Sequence, residues 1–319
     1  MKARNTYLEF DPPLMDKQKL EWLKRRQEGI GGSDAGVCLG VNPYKGLYEL
    51  YMDKTTQPVD DMNEAMYWGT ALENPIIAEF IKRFGIDWDK VILNHEITNP
   101  AHVWQRANLD ALVTDDPQEG TFIIEAKNVG YHSQDQWGDD FIPEYYYAQC
   151  QHNMMVSRTS KCYVPALFCG NKFQIYLVTM DEIYCQKLFD AEAEFWKESV
   201  VPLKCPAPDA TSRDELLRQH PEATSEEKKP NSKVDSLVEM IEAHADAEKQ
   251  AKAEKEASRN ELALLIGDDE GAHGVIREAT WKNNKGKETI DMAAIEKEYP
   301  GIVAKFKKTG KPFRTLRLR

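Results

Sequence analysis

The stretch that decides the fold runs Leu109-Asp110-Ala111-Leu112-Val113-Thr114, then Asp115-Asp116-Pro117-Gln118-Glu119-Gly120, then Thr121-Phe122-Ile123-Ile124-Glu125-Ala126-Lys127. Two short apolar runs flank a cluster of turn-forming residues, which predicts a pair of β-strands joined by the turn. Alternate residues of a strand share a face, so Glu125 and Lys127 project together while Ala126 turns away. Pairing across the turn carries Asp110 to the same cluster. A Glu-x-Lys by itself is ordinarily a solvated face. Here Phe122-Ile123-Ile124 reads as a buried strand, and charge is costly to bury unless it is paired or holds a metal.

Two carboxylates and a lysine are a minimal set for holding Mg²⁺ against a phosphodiester. The ion takes hard oxygen ligands and the ammonium steadies an attacking water. A third carboxylate lies upstream, where residues 63–84 predict a long helix with Met66, Thr70, Glu73, Ile77 and Phe80 or Ile81 along one face. Glu73 therefore falls among apolar neighbours. Downstream, residues 142–157 predict a helix opened by Pro143, with Tyr146, Gln149, Gln151 and His152 polar beside Met154, Met155 and Val156. Near the start, Gly29-Ile30-Gly31-Gly32-Ser33-Asp34 leads into Ala35-Gly36-Val37-Cys38-Leu39, a glycine-rich turn opening a short helix with outward backbone N–H groups. Ser33 is a candidate N-cap whose hydroxyl is able instead, or also, to reach a phosphate, and Arg26 at the end of the preceding helix offers that anion a charge-assisted partner.

The order Glu73, Asp110, Glu125-Ala126-Lys127, then Tyr146-Tyr147-Ala148-Gln149-Cys150-Gln151-His152-Asn153-Met154, resembles the PD-(D/E)XK nucleases of the YqaJ viral recombinase and phage lambda exonuclease group. The segment from Trp22 through Arg26 to Ser33-Asp34 is similar to that family's N-terminal pattern. The resemblance covers about residues 20–195. It departs at the name-giving Pro-Asp pair, because Leu109 precedes Asp110. The resemblance implies an α/β fold with a central mixed sheet flanked by helices. It implies a 5′-to-3′ exonuclease that digests one strand of linear double-stranded DNA. In that family Asp110, Glu125 and the Ala126 carbonyl would hold the principal Mg²⁺, with Glu73 placing a second ion directly or through water; Mn²⁺ is the alternative metal. Lys127 would act on the water and Gln149 would position the phosphate, with Tyr146 and Trp22 as auxiliaries. Arg26 and Ser33 would grip the 5′-phosphate. A ring-shaped homotrimer and a single-strand annealing partner are further implications. An endonuclease on the same fold, an idle DNA-binding scaffold and an RNA-directed nuclease are the competing readings.

Composition sets the frame. The chain has 319 residues, 41% of them hydrophobic, room for one sizeable core and an appendage. No apolar leader and no run long enough to span a membrane is present, which points to a cytoplasmic protein. Six cysteines without CxxC spacing read as reduced thiols and argue against a four-cysteine iron–sulfur cluster. The seven histidines lack zinc spacing. A net charge of −12 opposes binding of a polyanion, but from Ala272 onward twelve Lys or Arg face five Asp or Glu, a net of +7 that leaves −19 on the residues before.

The expected organisation is a nuclease core over 1–205, a linker or mobile loop over 206–232, and a charged helix with a small basic α/β appendage over 233–319. The core ends with strands at 161–168 and 172–179 and a helix at 181–199, with Ile183, Leu188, Ala191 and Phe195 inside. The helix at 233–266 suits either solvent or a coiled coil. In the appendage, residues 275–281 and 289–290 are expected to pair across Asn283-Asn284-Lys285-Gly286, followed by a helix at 292–299 and a strand at 313–318. Trp281, Lys282, Lys285, Lys287 and Arg314 are its exposed candidates for DNA contact.

Overall fold

A computed structural model describes residues 17–57, 62–223, 230–283, 285–286 and 290–307. The predicted hairpin lies inside a six-stranded mixed sheet. β1 (Val91–Thr98) and β2 (Arg106–Asp116) run antiparallel, as do β2 and β3 (Gly120–Ile124), with Ala111 opposite Ile124 and Val113 opposite Phe122. β3 stops after Ile124 and the chain resumes as β4 (Lys127–Val129). Both are parallel to β5 (Lys161–Phe168) in one unbroken register, Ile124 to Tyr163 and Lys127 to Ala166, so they form a single line interrupted at Glu125 and Ala126. β6 (Lys172–Thr179) runs antiparallel to β5 along its full length.

Among the described residues, six helices accompany the sheet: α1 (Lys17–Gln27), α2 (Gly32–Cys38), α3 (Leu47–Thr55), α4 (Glu64–Phe84), α5 (Glu144–Ser157) and α6 (Glu182–Phe195). The alternation of the central strand distributes them. Phe122 and Ile124 pack with Ile77, Phe80 and Ile81 of α4 on one face. Ile123 and Val129 pack with Cys150, Met154 and Val156 of α5 on the other.

α4 begins where Asn63 accepts the Met66 N–H and ends at Gly85, whose φ of 67° only glycine adopts readily. Its predicted face holds in the second half only. Met66 and Thr70 are exposed, and the buried residues of the helix are Ile76, Ile77, Phe80 and Ile81. In α6, Leu188 and Phe195 are buried as expected, but Ile183 stands exposed in the first turn, beside the capping Asp181. A wide turn, Trp196–Val200, prolongs α6.

Contacts divide the chain into Met1–Arg218 and Gln219–Arg319. The stretch expected as a linker therefore begins inside the first unit: Ser212 is buried, Thr211 Oγ1 donates to Glu49 Oε2 of α3 at 3.3 Å, and α7 (Arg213–Gln219) follows. In the second unit, α8 (Ser232–Ile266) leaves Leu237 and Ile241 exposed. β7 (Gly271–His273) pairs with β8 (Glu278–Thr280). The hairpin thus turns at 274–277, where Gly274 N–H donates to the Arg277 carbonyl, and not at the Asn-Asn-Lys-Gly stretch. The reason is local: Val275 and Ile276, expected in a strand, are exposed on that tight turn, and Ile290 is not in a strand. α9 (Met292–Glu298) forms as predicted and α10 (Ile302–Phe306) follows it. Thr289, Lys287, Arg314 and the strand expected at 313–318 lie outside the described residues. All six cysteines are free thiols, and no helix among the described residues is long and apolar enough to cross a membrane.

Candidate active site

The break between β3 and β4 creates the site. Glu125 still donates its N–H to the Tyr163 carbonyl at 2.9 Å, but its side chain is buried against α5. Both carboxylate oxygens are held. Oε1 accepts from Lys127 Nζ at 2.7 Å and from Gln149 Nε2 at 2.6 Å, and Oε2 accepts from Asn153 Nδ2 at 3.0 Å. Lys127 also donates to Gln149 Oε1 at 3.1 Å, and its ammonium lies 4.5 Å from the centre of the Tyr146 ring. The strand alternation read from sequence therefore survives the break.

Asp110 arrives from β2. The β1–β2 pairing skips Asn94, the residue opposite Asp110, which has a φ of 50°. Across this irregularity the apolar row of β2 changes sides: Leu109 packs with the α5 cluster, Ala111 and Val113 with the α4 cluster. Asp110 Oδ2 accepts the Ala126 N–H at 2.8 Å. This bond uses the Ala126 amide and leaves its carbonyl, the expected metal ligand, a separate donor.

Glu125 and Asp110 lie beside the Lys127 ammonium, and Glu73 is near enough to interact with all three. Burial, then Glu125 and Glu73, push the Asp110 carboxyl well above the usual range, against the pull of Lys127. Burial and Glu125 likewise raise Glu73, which is close enough to feel both groups. Burial opposes the Lys127 charge, yet Glu125, Tyr146 and Asp110 more than offset it and push that pKa up. Among the described residues no three His, Cys, Asp or Glu side chains converge into a ready-made cage. Mg²⁺ does not require one, since it binds through one or two carboxylates and fills its remaining places with water and phosphate oxygens. Asp110 and Glu125 fit that donor set, and a cation beside them would relieve the repulsion that raises Asp110 and Glu73.

The N-terminal residues join the same space. A cavity of about 220 Å³ is lined by Trp22, Arg26 and Ser33 together with Asp110 and Gln149. Arg26 donates to Ser33 Oγ at 2.8 Å, and the Trp22 ring lies 4.9 Å from its guanidinium carbon. Ser33 is not the N-cap. The helix opens two residues earlier, with Gly31 in the cap position and its N–H donated to Asp34 Oδ2 at 2.9 Å. Nor do the glycines serve only to expose N–H groups. Gly32 and Gly36 lie one turn apart, and a methyl on either would run into Asn153 or Tyr145, so they let α2 press directly onto α5.

Sequence reasoning overlooked three residues. Asn153 carries a signal that was available, lying one helical turn from Gln149 on a stretch otherwise turning apolar. Asp34 and Lys54 form a fully buried ion pair at 2.6 Å, twenty residues apart on separate helices, and nothing local in the chain announces it. His152 faces away from this site. It is buried between Glu192, 2.7 Å from Nδ1, and the Arg106 carbonyl, 2.8 Å from Nε2.

With this geometry in hand, comparison with known proteins identifies the family. Residues 21–160 match the YqaJ-like viral recombinase domain. The uncharacterized protein YqaJ of Bacillus subtilis (strain 168) is 32% identical over 298 residues, covering 90% of each chain. The chain belongs to the YqaJ-like viral recombinase family. Solved structures similar to this family member include the alkaline exonuclease LHK-Exo of Laribacter hongkongensis, at 18% identity and a TM-score of 0.47 over 62% of this chain and 96% of that one. Another is a putative exonuclease of Eubacterium rectale, at 11% identity and a TM-score of 0.46 over 70% and 98%. A third is a phage-related exonuclease of Haemophilus somnus 129PT, at 12% identity and 0.41 over 55% and 96%.

Proposed function

We propose that this family member is a Mg²⁺-dependent deoxyribonuclease that digests one strand of linear duplex DNA from its 5′ end. It would leave 3′ single-stranded tails for recombination by strand annealing. The observation that carries the reading is the shared cavity, lined by Arg26 and Ser33 together with Asp110 and Gln149. A terminal phosphate and a scissile phosphate need two such grips side by side.

Asp110, Glu125 and the Ala126 carbonyl would hold the principal ion, Glu73 would support a second directly or through water, and Mn²⁺ would be able to replace Mg²⁺. Bound there, the metal supplies Lewis-acid polarisation of the phosphate and stabilises the attacking and leaving oxygens. Lys127, kept charged by Glu125, acts as a donor that orients the attacking water. Gln149, fixed between Lys127 and Glu125, positions the phosphate. Arg26 takes the 5′-phosphate in a charge-assisted pair with Ser33 beside it, which gives the digestion its polarity. The chain works in the bacterial cytoplasm as a homotrimer around DNA, in partnership with a single-strand annealing protein.

The test is digestion of linear duplexes labelled at either end, with and without a 5′-phosphate, beside a covalently closed circle. Lys127→Ala serves as the control for contaminating nuclease. Loss of label from phosphorylated 5′ ends, an intact circle and an inert Lys127→Ala protein are expected. Cutting of the circle would replace the exonuclease reading with an endonuclease one, and full activity of Lys127→Ala would remove that residue from the chemistry.

A further inference from the structure

The Arg26–Ser33 pocket rests on a buried ion pair that the cutting chemistry does not use. Lys54, near the end of α3, has a side chain only 4% exposed. Its ammonium donates to Asp34 Oδ2 at 2.6 Å and to the Arg26 backbone carbonyl at 2.8 Å. The same Asp34 oxygen accepts the Gly31 N–H, and Asp34 Oδ1 lies 3.8 Å from the Arg26 guanidinium. One lysine thus ties the last turn of α1, which carries Arg26, to the first turn of α2, which carries Ser33. A second tie is parallel to it, because Gln27 Nε2 donates to the backbone carbonyls of Asp53 and Thr56 at 2.6 and 2.7 Å.

Stability alone does not call for charge here. A buried ion pair roughly breaks even against well-packed apolar residues of the same volume. Apolar residues, however, would leave the Gly31 amide and the Arg26 carbonyl without these partners. Electrostatics adds a second reason. An unneutralised carboxylate 3.8 Å from Arg26 would draw the guanidinium onto itself and repel an incoming anion. With Lys54 on its other oxygen, Asp34 holds the turn while Arg26 keeps its charge for a ligand.

We infer that Lys54 and Asp34 are positioning residues for a terminal-phosphate pocket: together they set the spacing of Arg26 and Ser33 before the anion arrives. The inference rests on the reading of that pocket as the 5′-phosphate grip. Its test compares the full-length wild type, Lys54→Met and the double variant Lys54→Met/Asp34→Asn in Mg²⁺, on duplexes with 5′-phosphate or 5′-hydroxyl ends. Melting curves report folding. The double variant leaves no unpaired buried charge, so it keeps the test open if Lys54→Met alone does not fold.

The expected result is a rise of about tenfold or more in KM for phosphorylated ends, with kcat and all activity on hydroxyl ends little changed. The preference for phosphorylated ends then falls toward unity. A merely structural pair would lower both activities together. A folded double variant with the wild-type preference overturns the positioning role alone. A wild type without any preference overturns the phosphate pocket itself, and the inference falls with it.

Discussion

A carboxylate buried beside two others is stable only when something offsets its charge. Burial, Glu125 and Glu73 all raise Asp110, so the folded chain binds that proton more tightly than the unfolded chain does. Folding stability therefore declines as pH rises above the ordinary value of 3.8, and the loss is complete above the raised value. Two consequences follow for metal-free protein at pH 8. Asp110→Asn melts at a higher temperature than the wild type. Mg²⁺ then stabilises the wild type, by about 2.7 kcal/mol at a hundredfold excess over Kd, and leaves the variant nearly unchanged. Thermal melts with and without Mg²⁺ check both, and an equal Mg²⁺ shift in the two proteins would take Asp110 out of the metal site. This cluster was legible from sequence because its members are near neighbours on strands of known periodicity. Asn153 was less so, since an asparagine among methionines signals burial without naming what it faces.

The glycines of α2 belong to a different scale, that of two helices in contact. Gly32 abuts Asn153, whose amide nitrogen holds Glu125, whereas Gly36 abuts the Tyr145 backbone, away from the carboxylates. Alanine gains roughly 1 kcal/mol over glycine within a helix, and overpacking costs about 1–3 kcal/mol. Net stability changes are therefore small for both Gly32→Ala and Gly36→Ala. Turnover separates them: Gly32→Ala shifts Asn153 and is expected to lose about 10- to 100-fold, the range seen when support around a metal ligand is disturbed, while Gly36→Ala stays near wild type. Denaturant titration alongside a digestion assay measures both effects. Equal turnover in the two variants would show that α2 does not reach Glu125 through Asn153. The sequence announced a glycine-rich turn, but whether it served an anion or a helix–helix approach depended on where α5 packs.

Across the first unit as a whole, a buried polar chain joins β2, α5 and α6. Gln105 Nε2 donates to Glu192 Oε2 at 2.7 Å, and Glu192 Oε1 lies 2.7 Å from His152. Burial disfavours the charged imidazole, but Glu192 and the Arg106 carbonyl reverse the balance and raise its pKa. The folded chain thus holds this proton more tightly. The stabilisation is complete below the unfolded value of about 6.5 and is lost as pH rises through the raised one. Wild-type melting temperature should fall over that interval relative to His152→Gln/Glu192→Gln, which lacks the titration. Melts from pH 6 to 9 decide it, and parallel curves would mean that folding leaves the proton affinity of His152 unchanged. Glu192→Ala alone strands the imidazolium and is expected to cost about 3–5 kcal/mol.

What the sequence determined by itself was set by short-range order. Strand alternation placed Glu125 with Lys127, the turn at 115–120 brought Asp110 across, and helical spacing located Glu73 and Gln149, because each rule depends only on neighbours along the chain. The appendage showed the limit of such rules, since an apolar Val275-Ile276 was drawn into a tight turn by one backbone hydrogen bond. Tertiary structure alone decided that Arg26 and Ser33 line one cavity with Asp110 and Gln149, that Lys54 neutralises Asp34, and that His152 pairs with Glu192 away from the site. Each joins residues far apart in sequence, and their proximity follows from how the helices settle on the two faces of the sheet, a packing choice that no local pattern encodes.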